Sequence, residues 1–166
     1  MYPHHGHEPA PVLSARIASI PLLVLDTNIV LDWVAFGDAR VRPIADAIER
    51  GLLRAATSGA CLQELRRALG YAQVKLDAAA QALAFERYLA HATVFDVPEA
   101  AAAAGLPRCE DVDDQKFIEL AWHVRASHLY TRDKALLKLA RPLAQLGRFS
   151  VLAPHDFQLQ RQQPRW

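Results

Sequence analysis

Pro21 opens the run LLVLD, which breaks off into a threonine and an asparagine at residues 27 and 28. A short, unbroken aliphatic run is the mark of a strand buried on both faces, since a strand with one wet face alternates apolar and polar residues. Strands covered on both sides belong to parallel sheets flanked by helices. The rest of the chain supplies those helices. IVLDWVAF (29–36) reads as a helix start. Pro43 opens a second helix in which Ile44, Ala47 and Ile48 share a face, with Gly51 as its stop. LLRAATS (52–58) reads as a strand. SGACLQELRRALG (58–70) reads as a helix capped by Ser58 and closed by Gly70, with Leu62, Leu65 and Leu69 spaced by 3 and 4 residues. A helix is expected over the alanine-rich 74–91, a strand over ATVFDV (92–97) and a connection over 98–108. In CEDVDDQKFIELAWHVRA (109–126) a helix follows the acids, with Phe117, Ile118, Ala121 and Trp122 on its apolar face. SHLYTRD (127–133) is a strand ending in polar residues, KALLKLARPLAQ (134–145) a helix broken near Pro142, and FSVLAP (149–154) a last strand. Strands alternating with helices indicate an α/β fold with a mainly parallel sheet.

The 166 residues, 52% of them hydrophobic, suffice for one domain around a sizeable core. Residues 1–20 read as a flexible arm, where His4, His5 and His7 lie among prolines; residues 21–157 form the domain and 158–166 a tail. A formal charge of +1, from 19 basic and 18 acidic side chains, implies no strongly basic surface, so any nucleic-acid contact is local. The two cysteines, Cys61 and Cys109, form no C-x-x-C pair and fit a reduced chain. No apolar run approaches membrane-spanning length and the N-terminus does not read as a secretion signal, so the expected location is the cytoplasm.

Four acids fall at comparable junctions. Asp26 ends the first strand, Glu64 lies one turn into the helix after the second, Asp114 opens the helix before the fourth, and Asp133 follows that fourth strand. In an open parallel sheet, ligands bind at the carboxyl ends of the strands, so all four can reach one rim. Two like charges about 4 Å apart repel by roughly 4 kcal/mol at an effective dielectric near 20. Gathered carboxylates therefore require protonation or a cation, and an oxygen-only set suits Mg²⁺ or Mn²⁺. Such an ion supports hydrolysis of a phosphodiester. Taken singly, each acid has a plainer account. Asp26 and Asp133 could cap helices, Asp111, Asp113 and Asp114 could serve a helix N-terminus, and Glu64 could be a surface acid paired with Arg67.

Taken together, VLDTNIVL, CLQELRRAL and CEDVDDQKFIELAWHVRASHLYTRDKALL resemble the PIN-domain family, and within it the toxin components of bacterial toxin–antitoxin pairs, over about residues 21–157. The resemblance implies a three-layer α/β/α sandwich with strand order 3-2-1-4-5. It implies cleavage of single-stranded RNA with one or two Mg²⁺ or Mn²⁺ ions, held by acids that match Asp26, Glu64, Asp114 and Asp133. Asp114 is preferred to Asp113 because it lies seven residues before Ala121. Asp111 and Asp113 are auxiliary candidates; the resemblance gives Thr27 and Asn28 the role of orienting Asp26 or a metal-bound water, and Thr131 the same role beside Asp133. It also implies an antitoxin protein and a second copy of the chain as partners. Arg66, Lys116, Arg132 and Lys134 flank the acids and are the expected phosphate contacts. Trp33 and Tyr130 could stack bases, but their positions favour the core. The rival readings are a PIN-like module that binds RNA or protein without catalysis, and a phosphotransfer domain. The haloacid-type phosphotransfer motif wants an aspartate where this chain has Asn28.

Overall fold

In the computed structural model, residues 19–101 and 105–159 are described. The expected arm lies almost wholly outside them, as does most of the C-terminal tail. The aliphatic run forms β1 (Leu22–Leu25), and its side chains divide between two cores. Leu23 and Leu25 face one side of the sheet and Val24 the other, as the twofold period of a strand requires. All three are 3% exposed or less, so β1 is covered on both faces.

Helix α1 (Thr27–Val34) leaves β1 at once. It is followed by α2 (Arg42–Glu49), β2 (Arg54–Ser58) and α3 (Gly59–Leu69). Helix α2 carries a proline in its first turn. It closes on Gly51 at φ +72°, where the Gly51 N–H donates to the Ile48 carbonyl and the Leu52 N–H to the Ala47 carbonyl. That pair of bonds needs a left-handed residue, which glycine adopts without a Cβ clash. Helix α4 (Ala78–Leu89) leads to β3 (Ala92–Phe95), and α5 (Gln115–His123) leads to β4 (His128–Tyr130). Helices α6 (Lys134–Leu137) and α7 (Ala140–Gln145) precede β5 (Ser150–Leu152).

Every strand pairing is parallel, and the sheet order is β3-β2-β1-β4-β5. This is the α/β sandwich and the strand order that the resemblance implies. Helices α1, α2 and α4 pack on one face around Ile29, Trp33, Ile44, Ile48, Phe85 and Tyr88. Helices α5, α6 and α7 pack on the other around Phe117, Ile118, Leu120, Leu136 and Leu143. Burying each such aliphatic or aromatic side chain contributes about 1.5–3 kcal/mol. Trp33 and Tyr130 are 2% and 0% exposed and belong to the core.

Two helix boundaries differ from the sequence reading. The helix expected from 74 begins at Ala78, because Lys75 turns left-handed at φ 58° and Asp77 caps the new helix, its carboxylate accepting from the Ala80 N–H at 2.8 Å. The break expected near Pro142 falls earlier, at Lys138–Leu139. Proline has no N–H for the carbonyl four residues before it and crowds that carbonyl. Here that residue is Lys138, so the chain restarts its helix and places Pro142 in the new first turn.

Candidate active site

The order of the sheet reverses between β1 and β4, so the chain runs outward from the centre in both directions. A cleft opens where carboxyl strand ends flank such a reversal. Here it has a volume of about 220 Å³ and is lined by Asp26, Thr27, Asn28, Glu64, Ala68, Tyr71, Asp111, Asp114, Phe117 and Asp133. The four principal acids thus face one space, with Asp111 as a fifth. Asp113 does not line it.

Asp26 is only 4% exposed and does two jobs. It caps α1, its Oδ1 accepting from the Ile29 N–H at 3.0 Å. Its Oδ2 accepts from the Thr131 hydroxyl. Burial raises its pKa to about 6, with the neighbouring Asp133 charge pushing the same way; the Thr131 and Ile29 hydrogen bonds and the Arg132 charge oppose the rise. Thr131 is fully buried, and its Oγ1 also accepts from the Asp133 N–H at 2.9 Å. One hydroxyl therefore ties the turn that carries Asp133 to the acid that ends β1. Asp133 in turn caps α6, its Oδ1 accepting from the Ala135 N–H at 2.7 Å.

Replacing Thr131 with valine keeps the shape and removes this hydroxyl. It leaves a buried carboxylate oxygen and a backbone N–H without partners, at a cost of about 1–3 kcal/mol. Chemical denaturation should show Thr131→Val destabilised by that amount and Thr131→Ser close to wild type. Equal stability of the valine variant would remove the hydroxyl from the account of the site.

Glu64 approaches from the opposite wall on α3. Its Oε2 accepts from the Thr27 hydroxyl, and its Oε1 accepts from Lys116 Nζ on α5 at 2.9 Å. Lys116 also donates to the carbonyl of Asp113. Asp114 sits at the head of α5, but its side chain makes no capping hydrogen bond. Burial raises its pKa to about 6, and Asp111, Asp133, Asp26 and Glu64 all push it in the same direction. Asp111 caps the turn before α5, its Oδ1 accepting from the Asp113 N–H at 3.0 Å.

Several contacts differ from the sequence reading. Thr27 serves Glu64, while Thr131 serves Asp26. The partner of Glu64 is Lys116 on another helix, in place of Arg67 on its own. Arg132 grips Asp32, Nε to Oδ2 at 2.8 Å and Nη2 to Oδ1 at 3.0 Å. Asp32 is 3% exposed, and this ion pair pins the β4–α6 turn to α1. Arg66 lies with its guanidinium 4.4 Å from the ring centroid of Phe85. Lys134 is exposed beside Asp133. Asn28 is exposed on the cleft wall. The cleft residues that sequence reasoning passed over are Ala68, Tyr71 and Phe117.

The donor set fits a hard divalent cation. It is all oxygen, with five carboxylates on one cleft, offset by Lys116 at Glu64 and by the Arg132 charge near Asp26. Burial first, and then the push of four neighbouring acids, disfavour the charged form of Asp114, and a bound cation would favour it. Among the described residues no three acidic, histidine or cysteine side chains already converge as a ligand cluster. Mg²⁺ retains several waters and commonly takes one or two carboxylates directly, so the set remains compatible with it.

Both described cysteines are buried free thiols. Among the described residues no helix is long and apolar enough to cross a membrane.

The search of curated proteins found no match. Among solved structures, a chain of VapBC2 from Rickettsia felis bound to a DNA fragment from its promoter superposes with a TM-score of 0.55 at 15% identity, over 80% of this chain and 98% of that one. A chain of FitAB bound to the IR36 DNA fragment gives 0.48 at 17% identity, over 82% and 97%. The likeness to the VapBC2 chain is one of fold. The model of the PIN domain matches residues 22–135, a stretch that contains β1 to the start of α6 and all the acids of the cleft. On that match, and with this sheet, the chain belongs to the PIN-domain family.

Proposed function

We propose that this protein is a divalent-metal-dependent endoribonuclease acting on single-stranded RNA, and the toxin of a toxin–antitoxin pair. The observation that carries the proposal is the cleft itself: Asp26, Glu64, Asp111, Asp114 and Asp133 line one space at the switch point of a parallel sheet. PIN domains are generally nucleases and generally use divalent ions. Mg²⁺ or Mn²⁺ suits the donors, with Asp26 and Asp114 as direct holders and Glu64 and Asp133 as direct or water-mediated ones. When bound, the ion supplies positive charge for a phosphoryl oxygen and lowers the pKa of water.

The chain's own groups do the positioning. Thr131 and the Ile29 N–H fix both oxygens of Asp26. Thr27 and Lys116 fix those of Glu64. The α6 N-terminus holds Asp133. Lys134 and Arg66 are exposed cations able to meet phosphate, Arg66 while lying over the Phe85 ring, whereas Lys116 and Arg132 are engaged with acids. The toxin assignment rests on the sequence resemblance and on the shared fold with the VapBC2 chain. It brings an antitoxin protein and a second copy of the chain as partners, and a cytoplasmic setting.

The test is cleavage of a labelled single-stranded RNA with Mg²⁺ or Mn²⁺ and with EDTA. The expected result is internal cleavage that chelation stops. Cleavage that persists in EDTA overturns the metal dependence. RNA binding without cleavage under any metal would favour the non-catalytic module instead.

A further inference from the structure

The lining of the cleft is not all polar: beside the five acids stand Ala68, Tyr71 and Phe117. Ala68 and Phe117 are 4% and 1% exposed and contribute little surface. Tyr71 is 50% exposed, the one large aromatic of the described residues that both lines the cleft and offers its ring to solvent. Its backbone is held on both sides. The Tyr71 N–H donates to the Ala68 carbonyl at 3.1 Å, and the Tyr71 carbonyl accepts from the Val74 N–H at 3.0 Å. Its φ and ψ of −67° and 138° are unstrained. The main chain that carries the ring is thus anchored, and the ring lines the same cleft as the carboxylates and stacks on no other described aromatic.

A phosphodiester in the cleft brings a base with it. Bases of single strands are unstacked and available to a π-face, which accepts any of them. We propose that Tyr71 is the stacking platform of the cleft, holding the nucleobase next to the scissile phosphate of a single-stranded RNA while that phosphate faces the acids. The inference rests on the ribonuclease reading and deepens it. It makes unpaired bases a requirement: a duplex keeps its bases stacked on one another and cannot present one to this ring. It also makes the site tolerant of base identity, because the contact is with a face and not with hydrogen-bonding edges. Trp33 and Tyr130 cannot share this role, since both rings are buried.

The experiment measures binding and turnover separately. In an Asp114→Asn background with Mg²⁺ present, Tyr71→Ala should weaken binding of a short single-stranded RNA by about 5- to 150-fold, the range for losing one base–aromatic stack. Binding of an abasic oligonucleotide of the same length should not change. Tyr71→Phe, which keeps the ring, should restore affinity. In the otherwise wild-type chain, Tyr71→Ala should raise KM with little change in kcat. An equal loss on the abasic strand, or no rescue by phenylalanine, overturns stacking. Wild-type cleavage with an unaffected Tyr71→Ala variant sinks this inference alone. A wild-type protein that neither binds nor cleaves RNA sinks the ribonuclease reading together with it.

Discussion

Asp114→Asn should lower RNA cleavage by about 10²–10³-fold, the usual cost of losing one member of a charge-stabilising set, and should leave the chain folded. Asp114 suits this test better than the other acids because its side chain caps nothing. Asp26 and Asp133 accept backbone N–H bonds at the starts of α1 and α6, so changing either also disturbs a helix start. Asparagine at 114 preserves volume and removes one negative charge from a group of five. Relief of that repulsion should raise the metal-free melting temperature at pH 8, by about 2–4 °C for each kcal/mol recovered in a chain of this size. Lost activity with gained stability identifies an acid kept for chemistry at the expense of folding. Lost activity with lost stability would instead mean that Asp114 holds the fold, and would withdraw it from the reaction.

The second large effect is on stability as pH rises. Asp26 and Asp114 have pKa values raised from 3.8 to about 6. Between those values the native state holds protons that the unfolded chain has released, so stability falls as pH climbs through the window. Above about 6 both states are ionised and the penalty is complete. For Asp26, which is almost wholly buried, the shift corresponds to about 3 kcal/mol; Asp114 adds in the same direction. The metal-free protein should therefore be more stable near pH 5 than at pH 8. Asp26→Asn should flatten that slope, and Mn²⁺ should restore stability at pH 8 by favouring the ionised acids. Urea melts at the two pH values settle the matter. A metal-free protein that gains stability from pH 5 to 8 would contradict the burial of these charges.

The sheet was legible because its signal is local. LLVLD is buried on both faces, and five residues are enough to say so. The positions of the acids were legible for a related reason: Asp26 and Asp133 follow strands, Asp114 opens a helix and Glu64 lies near the start of one, and those ends lie on one rim of a parallel sheet. Partners were not legible. Periodicity reports which face a residue occupies but not which distant side chain meets it there. Thr27 finds Glu64 across 37 positions, Lys116 finds Glu64 across 52, and Arg132 finds Asp32 across 100. Asp32 sits inside an apolar stretch, where sequence alone gave no reason for a buried charge. Tyr71 follows Gly70 in a short turn with no repeat around it, so nothing local separates it from an ordinary surface tyrosine. Trp33 and Tyr130 drew attention as aromatics in notable places, and burial gives both to the core.

Of the three residues between β4 and α6, two make long-range bonds and the third carries an acid of the cleft. Thr131 reaches Asp26, Arg132 reaches Asp32, and Asp133 faces the cleft. Such a connection has no slack. Inserting or deleting a single residue would displace two anchors and an acid at once, so the length of this turn is as constrained as its chemistry. Where related chains vary in length, that variation belongs in connections that carry no cleft residue.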